Sequence, residues 1–145
     1  MSEAALLYPM AAMVLLVLVT LGRLFFARTA AVSSGSLPVS FLQAYEGARE
    51  DAHSAQLARH FSNLFETPTL FFAGCLAAMA LARVDLVLVL LVWAYVAARV
   101  AHAWVHTGRN ALPARIRAFG ASVLTLTALW AWLVLSTLFA NFAGV

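Results

Sequence analysis

Three polar residues, Arg59, Asn63 and Glu66, stand at spacings of four and three positions where a long apolar stretch begins. On a helix this spacing places all three side chains on one face. A carboxylate inside an apolar segment is costly unless a cation or a hydrogen-bond donor accompanies it, and such groups usually face a cavity or a bundle interior. The pattern therefore predicts a buried site for a polar ligand.

A second polar group closes the next apolar stretch, where Arg99, His102 and His106 also share one helix face. Two antiparallel helices would bring both groups to the same depth, with the carboxylate and amide opposite the guanidinium and imidazoles. The alternative is a packing network, in which Arg99 pairs with Glu66 and holds the helices together.

The histidines and the cysteine also admit plainer interpretations. His102 and His106 are spaced like two metal ligands on a helix, but the sequence has no His-Glu-x-x-His pattern and a site needs further ligands. We therefore predict no metal. His53 and His60 are expected at the membrane surface. Cys75 is the single cysteine, which excludes an internal disulfide and favours a buried structural thiol.

The composition shows what kind of elements must position these residues. Of 145 residues, 64% are hydrophobic and 10% are charged, with a mean hydropathy of +0.92. A soluble domain carries roughly a quarter charged residues, so this chain must contact lipid. Its nine basic residues are all arginine and form no run, which excludes a surface that tracks nucleic acid.

Four stretches are long enough to cross the roughly 30 Å hydrocarbon core as helices of about 20 residues. They cover about 4–26, 59–82, 86–105 and 116–142. Only helices satisfy every backbone group in lipid at this length, so we predict an all-α, antiparallel four-helix bundle as one domain over 1–145. Eight of the nine arginines lie on the side of the first and third connections, which predicts that both termini are non-cytoplasmic.

With these residues in place, the sequence resembles the MAPEG superfamily, the membrane-associated proteins in eicosanoid and glutathione metabolism. The family's hallmark, Arg-x-x-x-Asn-x-x-Glu, stands here as RHFSNLFE at 59–66. Supporting similarity comes from RVAH at 99–102 and PARIR at 113–117. The resemblance covers the whole chain in length and span order, and NLFETP at 63–68 is similar to the short bacterial members.

The resemblance implies a homotrimer in a bacterial inner membrane, with glutathione bound between neighbouring subunits near the cytoplasmic face. The residues that would hold the charged ends of glutathione are Arg59, Asn63, Glu66, Arg99 and His102. An arginine at the start of the last span would face the thiol, either Arg115 or Arg117. Arg23, or Arg28, would reach in from the adjacent subunit.

The implied activity is that of a glutathione transferase or peroxidase acting on a lipophilic small molecule from the bilayer. A guanidinium near the sulfur favours the thiolate over the thiol, whose ordinary pKa is near 8.5. The eicosanoid enzymes carry tyrosines where this sequence has Thr67 and His106, so we assign a catalytic role to His106 together with Arg115. The missing tyrosines favour the alternative, a non-catalytic lipid-binding or scaffolding protein of the same fold.

Overall fold

A computed structural model describes residues 2–44 and 50–143, and every regular element within them is helical. A 3-10 turn at Glu3–Leu6 leads into the first helix. The helices are α1 (Leu7–Ser33), α2 (Val39–Ala44), α3 (Ala52–Asn63), α4 (Thr67–Ala80), α5 (Leu86–Thr107) and α6 (Leu112–Ala143). The predicted all-α class is confirmed.

Three of these segments are long and apolar enough to cross a membrane, namely Glu3–Ser33, Leu86–Thr107 and Leu112–Ala140. They contain nearly all of the first, third and fourth predicted spans. Large apolar side chains cover their outer surfaces; Trp104, for example, is 83% exposed. An exposed surface of this kind needs a lipid or protein neighbour, so the prediction of an integral membrane protein is confirmed.

The predicted span 59–82 is not one continuous helix. Helix α3 ends at Asn63 and α4 begins at Thr67, with residues 64–66 in turns. Pro68 lies in the first turn of α4, where its missing N–H is tolerated, but its ring disfavours a helical conformation in the preceding residue. Glu66 therefore lies in the turn between two helices and not within a continuous one, and the count of four spans stays a prediction.

Helix α5 lies at the centre of the described residues and packs on α1, α3 and α6. Its start is fixed by Asp85, whose carboxylate accepts hydrogen bonds from the Leu88 N–H at 2.8 Å and the Trp132 indole at 2.9 Å. In its middle, the Tyr95 ring stacks on Phe71 of α4 with centroids 4.7 Å apart. This apolar packing holds α5 along its length and leaves polar side chains at its far end.

Candidate functional site

The far end of α5 borders a polar cavity of about 320 Å³ between α3, α5 and α6. Ile116 and Phe119 form part of its wall. The other lining residues are six that the sequence singled out, namely Arg59, Asn63, Glu66, His102, His106 and Arg115. The two predicted polar groups therefore do meet in a single chain.

Asn63 joins the buried cation to the carboxylate. The Arg99 guanidinium donates from Nη2 to Asn63 Oδ1 at 2.7 Å and to the Asn63 carbonyl at 3.3 Å. The Asn63 amide donates from Nδ2 to Glu66 Oε2 at 3.0 Å. The packing alternative predicted a direct ion pair between Arg99 and Glu66. Within the described residues, the Asn63 side chain instead bridges the two.

Arg99 is fully buried, is not among the residues that line the cavity, and retains unused hydrogen-bonding capacity. Its Nε and Nη1 atoms have no hydrogen-bond partner among the described residues. Its guanidinium carbon lies 6.0 Å from the ring centroid of Phe119, which lines the cavity. A buried charge costs free energy unless it is paired, so this end of the bundle is suited to an anionic ligand.

Arg115 lies at the cavity, whereas Arg117 is exposed and outside its lining. The Arg115 side chain donates from Nη1 to Asn110 Oδ1 at 3.0 Å, and its backbone oxygen lies 3.3 Å from His102 Nδ1. Asn110 has a positive φ of 52°, a conformation that asparagine tolerates, and it turns the chain from α5 into α6. Of the two arginines left open by the sequence, Arg115 has the position that a ligand in this cavity would require.

Neither candidate arginine of α1 lines this cavity. Arg23 donates from Nη1 to Thr107 Oγ1 at 2.8 Å and borders a separate cavity of about 620 Å³. Arg28 forms an ion pair with Glu50 at 2.8 Å. A contribution of either arginine to an adjacent subunit stays a prediction.

Sequence reasoning missed His60, which is 0% exposed instead of lying at the membrane surface. Helix α3 buries Ser54, Leu57 and His60 on the face that packs against α5. The ring centroid of His60 lies 5.1 Å from that of His106 and 5.7 Å from that of His102. The sequence carried only a partial signal, because His60 follows the apolar Leu57 by three positions, which predicts a shared helix face but not what covers that face.

A phenol also lies near the position where the eicosanoid enzymes carry a tyrosine. The Tyr95 hydroxyl donates to Thr67 Oγ1 at 3.3 Å. Tyr95 is fully buried in the apolar core and is not among the residues that line the cavity. The hydroxyl therefore ties α5 to the start of α4, beside the site and not in it.

Comparison with known proteins agrees with the resemblance inferred from the motifs. The model of the MAPEG family matches residues 6–135, a range that contains every residue of the cavity lining. No curated protein matches the chain.

Proposed function

Because the chain belongs to the MAPEG family, we propose that it binds glutathione in the polar cavity and directs the glutathione thiolate at lipophilic electrophiles. The observation that carries this proposal is the buried Arg99, with two unpaired nitrogens, beside a cavity lined by Arg59 and Arg115. Such a concentration of guanidinium groups at the end of an apolar bundle requires an anionic partner.

The charges of the cavity complement those of glutathione, which carries two carboxylates and one ammonium group at neutral pH. The guanidinium group of Arg59 lines the cavity and suits one carboxylate, because arginine binds carboxylates through paired N–H donors. Arg99 is buried beside the cavity, where its charge would favour the second carboxylate electrostatically. The exposed carboxylate of Glu66 suits the ammonium group. A volume of about 320 Å³ is at the small end of ligand pockets, which fits a site that a neighbouring subunit completes.

The proposed reaction needs only a thiolate and access from the bilayer. Arg115 would favour the thiolate electrostatically, with the thiol proton leaving to solvent. The sulfur then bonds to an electrophilic carbon, whose leaving group departs with the electron pair of the broken bond. His106 lines the same cavity and would stabilise the thiolate with a hydrogen bond from its ring N–H, at a place where the eicosanoid enzymes carry a tyrosine.

The proposal includes a homotrimer of four-span subunits in a bacterial inner membrane, with the arginine-rich ends in the cytoplasm. Helix α4 has 14 residues, which reach only about 21 Å. The second span would therefore also need the C-terminal turns of α3 to cross the roughly 30 Å hydrocarbon core. That arrangement would put the α3–α4 break, and the cavity, inside the membrane near the cytoplasmic face.

The proposal is tested by titrating detergent-solubilised protein with glutathione in a calorimeter. Arg59 is exposed at the cavity, so we expect Arg59→Ala to weaken binding about tenfold, the lower end for a hydrogen bond to a charged group. Arg117→Ala removes an exposed arginine outside the cavity and should bind like the unmodified protein. Equal affinity in both variants, or no binding by the unmodified protein, would overturn the site.

The second candidate is a non-catalytic protein that binds lipid. An apolar groove of about 730 Å³ between α4 and α6 favours it, with a lining that includes Leu70, Leu126 and Trp130. An acyl chain would fit such a surface. The thiolate absorbance of bound glutathione, followed against pH, distinguishes the two functions. Ionisation below the ordinary thiol pKa of about 8.5 supports the enzyme; absence of bound thiol, with lipid detected by native mass spectrometry, supports the alternative.

A further inference from the structure

Three buried histidines converge where α3 meets the end of α5. His60 comes from α3, and His102 and His106 come from α5; their exposures are 0%, 3% and 7%. One candidate ligand atom from each ring lies within 4.8 Å of the other two. His60 thus supplies a third possible ligand, which the sequence pattern of His102 and His106 lacked.

The histidine nitrogens are short of hydrogen-bond partners. Both ring nitrogens of His60 and Nδ1 of His106 are buried and have no partner within the described ranges 2–44 and 50–143. Buried polar atoms are normally paired, so three unpaired nitrogens in one cluster need an explanation. A metal ion would account for one nitrogen of His60 and for Nδ1 of His106, because it accepts one lone pair from each ring; the other His60 nitrogen would keep its proton.

His102 has the hydrogen bond that a metal-binding histidine commonly makes. Its Nδ1 lies 3.3 Å from the Arg115 carbonyl oxygen. An N–H at Nδ1 that donates to this oxygen leaves the lone pair of Nε2 free for a metal and fixes the ring orientation. The contact therefore prepares His102 as a ligand.

Gln56 holds the two helices in register beside the cluster. Its side-chain amide donates to the His106 carbonyl oxygen and to the Gly108 carbonyl oxygen, the latter at 3.2 Å. Gln56 precedes His60 by one helical turn, so these bonds fix how far His60 enters between the helices. We regard Gln56 as a positioning residue.

We propose that His60, His102 and His106 form a mononuclear site for a transition-metal ion of the zinc class, with an open fourth position at the polar cavity. Imidazole ligands suit zinc, copper, nickel and cobalt and do not suit calcium or magnesium. The open position follows from the cavity, because His102 and His106 line it. Three protein ligands and one exchangeable ligand are the arrangement of catalytic zinc sites.

The surrounding charges determine what the fourth ligand must be. The cations whose charges act on the cluster are Arg99, Arg59, Arg115 and Arg23, and Glu66 is the carboxylate of the cavity. A divalent ion among four guanidinium groups requires an anion beside it. The fourth ligand is therefore an anion, such as hydroxide or a thiolate, and the site does not depend on whether glutathione is the ligand.

The test is a titration of the full chain, purified without a histidine tag and stripped with a chelator, with Co²⁺ alone. We expect one Co²⁺ to bind per chain and to show the visible d–d absorption of four-coordinate Co²⁺. Added Zn²⁺ should displace it and abolish that absorption. His60→Ala and His106→Ala should each weaken binding by about a hundredfold or more, since loss of a ligand exceeds loss of its outer support. His53→Ala removes an exposed histidine of the same helix and should leave binding unchanged.

X-ray absorption of the unmodified protein loaded with Zn²⁺ needs no variant and covers the case in which a histidine variant fails to fold. We expect three imidazole nitrogens at about 2.0–2.1 Å. The proposal is overturned if X-ray absorption shows fewer than three imidazole ligands, or if the unmodified protein binds no Co²⁺. It is also overturned if Co²⁺ binding is lost in His53→Ala and retained in His60→Ala. Because no step uses glutathione, failure of the metal site leaves the glutathione titration to be judged separately.

Discussion

Asn63→Ala removes the amide that joins the buried Arg99 to Glu66, and its cost can be worked out from the contacts. The bond from Arg99 Nη2 to Asn63 Oδ1, at 2.7 Å, is buried and charge-assisted, and such bonds contribute about 1.5–3 kcal/mol. The bond to the exposed Glu66 adds less than about 1 kcal/mol, because water screens it. We therefore expect the free energy of unfolding to fall by about 1.5–4 kcal/mol.

The measurement is detergent-induced unfolding in mixed micelles, followed by the fluorescence of the four tryptophans. Ser62→Ala is the matched control, because Ser62 is the preceding residue of α3 and its side chain is exposed. Equal unfolding midpoints for Asn63→Ala and Ser62→Ala would refute the reasoning, since Arg99 would then not depend on the amide. The glutathione affinity of the same two variants is measured under conditions where both are folded. A weaker affinity in Asn63→Ala alone then shows that the amide also supports the binding site.

Two further predictions concern Arg115, near the start of α6, and Asp85, which caps the start of α5. Arg115→Ala should raise the pKa of bound glutathione toward its ordinary value near 8.5, whereas Arg117→Ala should not, as followed by thiolate absorbance against pH; the same pKa in both variants would remove Arg115 from the proposed chemistry. Asp85→Ala should lower the free energy of unfolding by about 1–2 kcal/mol, because it removes the helix cap and the acceptor of the Trp132 indole. Asp85→Asn keeps a capping side chain and should retain most of that stability; equal losses in the two variants would contradict the capping role.

The meeting of the two polar groups could be predicted from the sequence because helical periodicity and antiparallel connection are local rules. The spacing of Arg59 and Asn63, and that of Arg99 and His102, specifies one face on each helix. The short turn before α5 places those faces near each other at one end. Arg115 was expected at the site only from the family resemblance, with Arg117 as the alternative, because helical periodicity alone does not choose between two arginines near the start of α6.

The break after Asn63 and the burial of His60 could not be predicted in the same way. A proline in an apolar helix can kink it, end it or leave it nearly straight, depending on which groups satisfy the freed backbone atoms. Burial of His60 depends on α5 covering that face of α3, and periodicity states which residues share a face but not what covers it. Both outcomes are tertiary effects.

The interruption between α3 and α4 also changes what the backbone of Asn63 can do. In a continuous helix the Asn63 carbonyl would be occupied by the N–H of Thr67, one turn later. With the helix ended at this point, that oxygen accepts instead from the Glu66 N–H at 3.4 Å and from the Arg99 guanidinium at 3.3 Å. The carbonyl dipole of Asn63 is thus fixed against a buried cation and stabilises it where water is excluded. A change at Pro68 that restored a continuous helix would turn this oxygen back to the helical hydrogen bond and weaken its contact with Arg99.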